Sequence, residues 1–229
     1  MKKIAIGLVV LTAMVTKANA QKIYALGGAN FANITTSNSG QTEDNNTLVT
    51  FNAGLLGTFG ISKVVDLETG LLLTGRGAKA ETYYNNGNDY VKAKFNPLYV
   101  ELPVNLVVKF PIDKDNNIFV NAGPYVAVGV GGKSKLDTKF GPLTSSSSEN
   151  IKFSNDDPFT SQQEDAAYNK LKRFDYGINL GGGIALKGFT IRANYGLGLA
   201  KINSTAGNNN ADEKNKYRTA SISVGIPLN

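Results

Sequence analysis

The chain has 229 residues and contains no Cys, no His and no Trp, a length typical of a single domain. These absences exclude disulfides, thiolate and imidazole catalysis, and zinc sites built from Cys or His. Charged residues are only 18% of the chain, with a net charge of +6, and glycine is abundant at 25 residues, a composition that is unusual for a soluble enzyme surface.

The N-terminus has the features of a secretory signal peptide. Two lysines precede an apolar run from Ile4 to Val15, and Ala18-Asn19-Ala20 forms a small-residue cleavage site. The apolar run is too short to cross a bilayer as a helix. We predict a leader over 1–20 and a mature domain over 21–229, with 21 basic and 18 acidic residues and a net charge of +3. This modest charge argues against a nucleic-acid partner.

The mature chain alternates apolar and polar residues with a period of two, which is typical of β-strands. The contrast is clearest where Val100, Leu102 and Val104 share one face, opposite Glu101 and Asn105. We predict eight strands, of which the first and third are weakest. In chain order they are Lys22–Thr35, Leu48–Ile61, Leu67–Tyr83, Leu98–Phe110, Ile118–Val130, Tyr176–Leu186, Phe189–Leu199 and Thr219–Ile226.

The connections between these strands alternate between short and mostly longer. An antiparallel meander that closes on itself places all short turns at one rim and all long loops at the other, as in outer-membrane barrels. We therefore predict an all-β protein, an eight-stranded antiparallel up-and-down transmembrane β-barrel in the cell outer membrane. The short turns are Lys63–Asp66, Asp113–Asn117 and Lys187–Gly188, and the long connections are Thr36–Thr47, Asn85–Asp89, Gly132–Lys172 and Asn203–Lys216.

Residue size indicates which face of the strands meets lipid. Alternation alone also fits a soluble lipocalin-like barrel with an apolar interior. The polar face here is mostly Gly, Asn, Ser and Thr, which suits the narrow interior of an eight-stranded barrel. We therefore expect the apolar face outside, flanked by aromatic girdles. The expected girdles are Phe59, Phe110 and Phe189 near the short turns, and Tyr83, Tyr84 and Tyr90 on the outer side.

The charged and amide side chains on the inferred lumen face form the candidate site. An unpaired charge in a narrow interior is costly, so we expect Glu101 to bind Arg76, Lys109 or Arg192. We interpret this network as structural, a filling that plugs and stabilises the barrel, and a gated ion path is the alternative. Its members are Glu68, Arg76, Tyr99, Glu101, Asn105, Lys109, Asn121, Asp175, Asn179 and Arg192.

Other motifs do not support a catalytic, cofactor or metal site. The stretch 127–134 fits a loose phosphate-loop pattern, but no helix follows it to present its N–H groups. Asp113, Asp115 and Asn117 resemble the start of a calcium loop, yet Ile118 stands where such a loop needs Gly. We predict a polar turn there.

Two prolines fall inside predicted barrel strands, where no free edge exists to accommodate a residue without an N–H group. They are Pro103 and Pro124. We expect a β-bulge to accommodate them, since bulges occur at the rims of barrels.

Three stretches resemble the PorT-like outer-membrane β-barrel family common in Bacteroidetes: Gly27–Asn30, Tyr99–Pro103 and Asn121–Tyr125. Asp175–Gly177 together with Gly181–Gly183 extends the resemblance, which covers nearly all of the mature chain. It implies an eight-stranded barrel in the outer membrane and supplies no catalytic residues.

These observations predict a non-enzymatic integral outer-membrane protein with a filled lumen, which acts through its surface loops in adhesion, binding or secretion. The expected partners are outer-membrane lipid, the barrel-assembly machinery and a surface or secretion partner bound through 132–172. We expect no cofactor. The alternative is a soluble periplasmic lipocalin-like barrel that carries an apolar ligand.

Overall fold

The computed structural model of the chain describes residues 22–35, 46–154, 170–202 and 215–228. The expected leader, 1–20, and the expected first mature residue, Gln21, lie outside the described residues. Most of the expected loops 36–47 and 203–216 also lies outside them. Within the described ranges, no helix has both the length and the apolar character needed to cross a membrane.

The described residues form strands joined by turns. A short 3-10 turn at Asn85–Gly87 connects two of them. In chain order the strands are β1 (Lys22–Ile34), β2 (Leu48–Gly60), β3 (Val65–Gly75), β4 (Ala78–Tyr84), β5 (Asp89–Pro111), β6 (Asn117–Phe140), β7 (Leu143–Asn150), β8 (Lys152–Ser154), β9 (Lys170–Lys172), β10 (Phe174–Ala185), β11 (Thr190–Gly198) and β12 (Tyr217–Pro227).

Eight of these strands close into a ring, in the order β1, β2, β3, β5, β6, β10, β11 and β12. Every neighbouring pair in the ring is antiparallel. The last strand returns to the first, with pairs from Tyr24–Pro227 to Ile34–Tyr217. Closure leaves no free edge within the ring. The predicted eight-stranded antiparallel barrel is therefore confirmed.

Most apolar side chains of the ring face outward, and most polar ones face the lumen. Val49, Leu55 and Val126 are 65%, 52% and 54% exposed, whereas Asn52 and Tyr125 on the opposite faces of the same strands are 6% and 2% exposed. A soluble carrier barrel has the reverse arrangement, with apolar side chains around its interior. The strand pattern therefore places an apolar belt on the outside of the barrel, as predicted.

Strands β5 and β6 continue past the ring and carry β4 and β7 on their sides. Pairs between β5 and β6 run from Pro111–Asn117 at the short-turn end to Tyr90–Lys139. Strand β4 pairs with the first third of β5, and β7 pairs with the last third of β6. We call this four-stranded extension, formed by β4, 89–97, 132–140 and β7, the outer sheet.

The outer sheet corrects three sequence predictions. The predicted strand Leu67–Tyr83 is two strands, since the chain bends at Gly77, whose φ is 126°. The strand predicted to begin at Leu98 begins at Asp89. The predicted long loop Gly132–Lys172 begins as strand, because β6 runs to Phe140 and turns back as β7. In the outer sheet, lysines and serines occupy positions that are apolar in the lipid-facing part of the barrel. The alternation of apolar and polar residues by which the barrel strands were predicted is therefore missing.

The three tyrosines expected to form the outer aromatic girdle do not lie at the rim of the barrel. Tyr83 is paired with Tyr90 at the tip of the outer sheet, while the last ring pair of β3 and β5 is Gly75–Leu98. Tyr90 and Leu98 are eight residues apart on β5, which corresponds to about 27 Å along the strand. Tyr83, Tyr84 and Tyr90 are therefore far beyond the barrel rim, in positions where a bilayer-surface girdle does not form.

The prolines are accommodated without the bulge expected there. The pairing of β5 with both neighbours skips the residues around Pro103 and resumes in the same register. The register shift between these strands lies instead between Leu98 and Tyr99, at the outer rim. Each missing proline N–H therefore interrupts the ladder locally and does not displace the strand.

Candidate functional site in the barrel lumen

A buried arginine organises the outer half of the lumen. Arg76 follows β3, and its backbone N–H donates to the carbonyl of Pro97 at 3.0 Å, which directs the side chain inward. Its guanidinium forms ion pairs with Glu101 on β5 and Asp175 on β10 and donates to the Tyr125 hydroxyl at 3.0 Å. Each of the three charged side chains is at most 8% exposed.

Three tyrosine rings surround this guanidinium. The carbon at its centre lies 4.5 Å from the ring centroid of Tyr125, 5.4 Å from that of Tyr99 and 6.0 Å from that of Tyr217. The Tyr125 hydroxyl also donates to Asp175 at 3.0 Å. The arginine is thus held by charge, hydrogen bonds and aromatic faces from several strands, an arrangement that fixes its position.

An apolar plug lies over this cluster at the outer mouth. Phe153 of β8 meets the Tyr99 ring edge-on, with centroids 5.7 Å apart, and Leu171 of β9 is only 6% exposed. A Cβ atom on Gly129 would lie 2.2 Å from the Phe153 ring. The ring therefore fits here only because residue 129 has no side chain. Strands β8 and β9, which pair in parallel, therefore cover the mouth of the barrel.

A second charged cluster fills the half of the lumen nearer the short turns. Arg192 donates to both carboxylate oxygens of Glu68, at 3.0 Å and 2.9 Å. Asn105 donates to the same carboxylate at 3.1 Å, and Arg192 reaches Asn121 at 3.5 Å. Lys109 binds Asp66 at 2.7 Å, closer to the short turns.

A row of short polar side chains connects the strands between the two clusters. Asn30 donates to Thr74 at 2.8 Å and accepts from Asn52 at 2.6 Å. Ser223 donates to Asn52 at 2.9 Å. These contacts join β12, β2, β1 and β3 through the interior.

The structure places the ten predicted site residues on the lumen side and divides them between the two clusters. Arg76, Tyr99, Glu101, Asp175 and Asn179 lie in the outer cluster, and Glu68, Asn105, Lys109, Asn121 and Arg192 lie in the inner one. Of the three partners considered for Glu101, the structure selects Arg76. Asn179 donates to the second oxygen of Glu101 at 2.8 Å.

The sequence does not single out Asp66, Tyr125, Tyr217 or the row of short polar side chains that includes Asn30 and Asn52. The period of two places Tyr125 on the same face as Asn121, but a tyrosine at that position does not by itself indicate contact with an arginine. Asp66 was assigned to a turn, although it belongs to β3. A predicted strand that began two residues earlier, at Val65, would place Val65 on the outer face and Asp66 on the lumen face.

The lumen formed by the described residues retains small cavities, among them one of about 50 Å³ and one of about 100 Å³. Glu68 borders both of them. The lining combines polar and apolar side chains, and the volumes suit a few water molecules each, too little space for an organic ligand. Within the described ranges, no three Asp or Glu residues gather closely enough to hold a metal ion.

A family model described as outer membrane protein beta-barrel domain matches residues 19–204. No curated protein sequence matches the chain. A crystal structure of Ail, the attachment invasion locus protein of Yersinia pestis, in complex with the heparin analogue sucrose octasulfate, is 13% identical, with 90% of this chain and 98% of that chain covered and a TM-score of 0.41. Neisserial surface protein A is 10% identical, with coverage of 90% and 95% and a TM-score of 0.42.

Proposed function

The chain belongs to the outer membrane protein beta-barrel domain family, and from this premise we propose that it acts at the cell surface through its outer sheet. In this proposal the barrel is a non-enzymatic membrane anchor with a closed lumen. The outer sheet, together with the chain that follows it to residue 172, binds a partner in adhesion, surface recognition or secretion.

The closed lumen supports an anchor in preference to a pore. From the outer mouth inward, the path meets the Phe153 plug, the Arg76 cluster and the Glu68–Arg192 pair. Each layer is held by contacts from several strands, and the cavities between them hold only a few waters. A cluster of buried ion pairs also resists displacement, because breaking one leaves an unpaired charge in the interior.

The outer sheet is the observation that carries the proposal. Its strands continue the barrel wall beyond the ring, so a rigid base positions them, which is the usual arrangement of binding elements on a scaffold. Every residue of β7 is exposed, and its outer edge has no strand partner among the described residues. An exposed strand edge is a ready template for a partner.

The proposal includes three finer points. The chain is a PorT-like protein of the type found in Bacteroidetes, on the sequence resemblance given above. It is exported with cleavage of the leader 1–20 and inserted by the barrel-assembly machinery. Its surface or secretion partner binds the outer sheet and the segment that follows β7.

Topology on intact cells tests the proposal. We would insert a cleavage site for a specific protease between Gly141 and Pro142, in the two-residue turn between β6 and β7. The matched control places the same site between Lys114 and Asp115, in a short turn at the other end of the barrel. We expect cleavage of the first protein and protection of the second. The reverse result contradicts the proposed orientation.

Function is tested by shortening the outer sheet. Replacing 134–149 with a two-residue turn removes β7 and the end of β6 and leaves the ring intact. We expect the variant to insert and to keep its folded gel mobility, but to lose surface attachment or secretion in a strain that depends on the protein. Normal activity of the inserted variant would refute a role for the outer sheet.

A further inference from the structure

One side of the outer sheet carries a concentration of lysines, which we call the basic face. Lys79 of β4, Lys94 of β5 and Lys135 of β6 lie directly opposite one another in a single row across three strands. The rows on either side contain further lysines. The complete set is Lys79, Lys92, Lys94, Lys133, Lys135 and Lys139.

The carboxylates on this face are too few to balance it. The only acidic residues in these rows are Glu81 and Asp137, which flank Lys92, so the six lysines leave a net charge of +4. Lys79 approaches Glu81 at 3.4 Å and Lys135 approaches Asp137 at 3.2 Å. Lys94 lies between Lys79 and Lys135, with no carboxylate in its row.

Such a row is unfavourable without an external anion. Directly opposed side chains in a sheet have Cβ atoms about 5 Å apart, and like charges in those positions repel. Lys94 and Lys135 are both exposed, so they can receive a ligand from solvent or from a membrane surface. The arrangement is suited to several negatively charged oxygens, as a phosphate group offers.

The register determines the direction in which the basic face points. Lys94 lies on the same side of β5 as the lipid-facing Leu98 and Val100, since even-numbered positions share that side. Across from it, the register shift at Leu98–Tyr99 brings Lys133 and Lys135 of β6 onto this side as well. The basic face is therefore the direct continuation of the apolar belt.

The row of Lys133 lies at the height of a headgroup layer, and the row of Lys94 lies just above it. Lys133 pairs with Asn96, two residues beyond Leu98, and the row of Lys94 is four residues beyond it. At about 3.4 Å per residue these distances are about 7 Å and about 14 Å along the strand. Polar headgroups extend some 5–8 Å beyond the hydrocarbon on each side of a bilayer, and strand tilt brings the rows closer to that layer.

We propose that the part of the basic face nearest the belt, Lys133 and the row of Lys79, Lys94 and Lys135, binds phosphate-bearing lipid headgroups in the outer leaflet. The orientation of the basic face favours a lipid over a soluble anion. Its lysines lie on the same side of the strands as the apolar belt, so they point parallel to the membrane surface and not away from the cell. The site would fix the height and tilt of the outer sheet above the bilayer. It is independent of the surface partner proposed above, since it needs no second protein.

Lipid retention tests this site directly. The full chain in dodecyl maltoside is mixed with phosphorylated lipid A and passed through a gel-filtration column, and phosphorus is measured in the protein fraction. We expect the wild type to retain at least one lipid per chain. The triple variant Lys79→Gln/Lys94→Gln/Lys135→Gln should retain at least about fivefold less, and lipid A without phosphate should not be retained, because the attraction is ionic.

The matched control removes the same charge at the other end of the barrel. Lys63→Gln/Lys114→Gln/Lys187→Gln changes three exposed turn lysines and should retain lipid like the wild type. Folded gel mobility establishes that each variant is a barrel. If the triple variant does not fold, Lys94→Gln alone replaces it, and raising the salt from ~0.05 M to ~0.5 M should release lipid from the wild type.

Three outcomes would overturn the proposal. The first is equal retention by the wild type and the folded triple variant. The second is full release of the lipid by millimolar inorganic phosphate, which would indicate a site for the free ion. The third is tight binding of the wild type to heparin with no retention of lipid A, which would assign the face to a sulfated polysaccharide.

Discussion

Arg192 and Glu68 form a two-pronged ion pair across the lumen, with N–O distances of 3.0 Å and 2.9 Å. Their side chains are only 4% and 6% exposed. Arg192 belongs to β11 and Glu68 to β3, which are not neighbours in the ring. The pair therefore spans the interior and couples opposite parts of the wall.

This coupling predicts strong non-additivity between the two residues. Removing one partner of a buried pair typically costs about 3–5 kcal/mol, because the other charge stays buried and unpaired. Glu68→Gln and Arg192→Met should each lower the free energy of unfolding by an amount of that order. The double variant should lose clearly less than the sum. Urea unfolding in lipid vesicles, followed by far-UV circular dichroism, measures all three, and additive losses would show that the residues do not interact.

Glu101→Gln tests the outer cluster. The variant keeps an oxygen for Asn179 but leaves Arg76 with Asp175 as its one carboxylate partner in the outer cluster. We expect a lower unfolding temperature and no ion conductance in planar bilayers, because the plug and the Glu68–Arg192 pair still close the path. A large, stable conductance from this variant would support a gated ion path instead.

Gly129→Leu tests the plug. The new side chain would occupy the space of the Phe153 ring, which begins 2.2 Å from a Cβ at this position. We expect Phe153 to leave the mouth, and proteolysis at Lys152 and Lys172 to become faster. Overpacking typically costs about 1–3 kcal/mol. Gly131→Leu is the control, since a Cβ there meets nothing within 4 Å. Equal proteolysis of the two variants would argue against the plug.

Asp113 provides a pH-dependent contribution outside the membrane. Hydrogen bonds from the Asn116 side chain and from the backbone N–H groups of Asp115 and Asn116 lower the pKa of Asp113 below its ordinary 3.8. A group with a lowered folded pKa stabilises the protein above its unfolded pKa, and this contribution is lost as the pH falls through the folded value. Asp113→Ala should therefore be less stable than the wild type at pH ~6, and the difference should shrink below pH ~3.8. A constant difference across this range would contradict the assignment.

The sequence predicted the barrel well because lipid imposes a strict pattern on it. Residues such as Val100, Leu102 and Val104 must be apolar where they meet hydrocarbon, while Glu101 and Asn105 face a narrow interior. That contrast marks the ring strands and the lumen face. It also limits the partners of Glu101 to the few cations on the lumen side, Arg76, Lys109 and Arg192, but the pattern does not choose among them.

The outer sheet was not predicted from the sequence, because its strands do not contact hydrocarbon and lack the alternation of apolar and polar residues. In β7 the run Ser145–Ser148 has no apolar alternation, and its strand is fixed by hydrogen bonds to β6. Likewise, the contact between Phe153 and Gly129 depends on where a distant segment returns to the barrel mouth. Local sequence carries no information about that return.

Spin labels on the outer wall test the central claim that hydrocarbon surrounds the apolar belt. The chain has no Cys, so Val104→Cys and Val128→Cys each provide one labelling position, with Lys114→Cys in a short turn as the aqueous control. In native envelopes, the account predicts that the labels at 104 and 128 collide frequently with oxygen and rarely with a water-soluble nickel chelate, and that the label at 114 does the opposite. Frequent collisions with the chelate at 104 and 128 would contradict it.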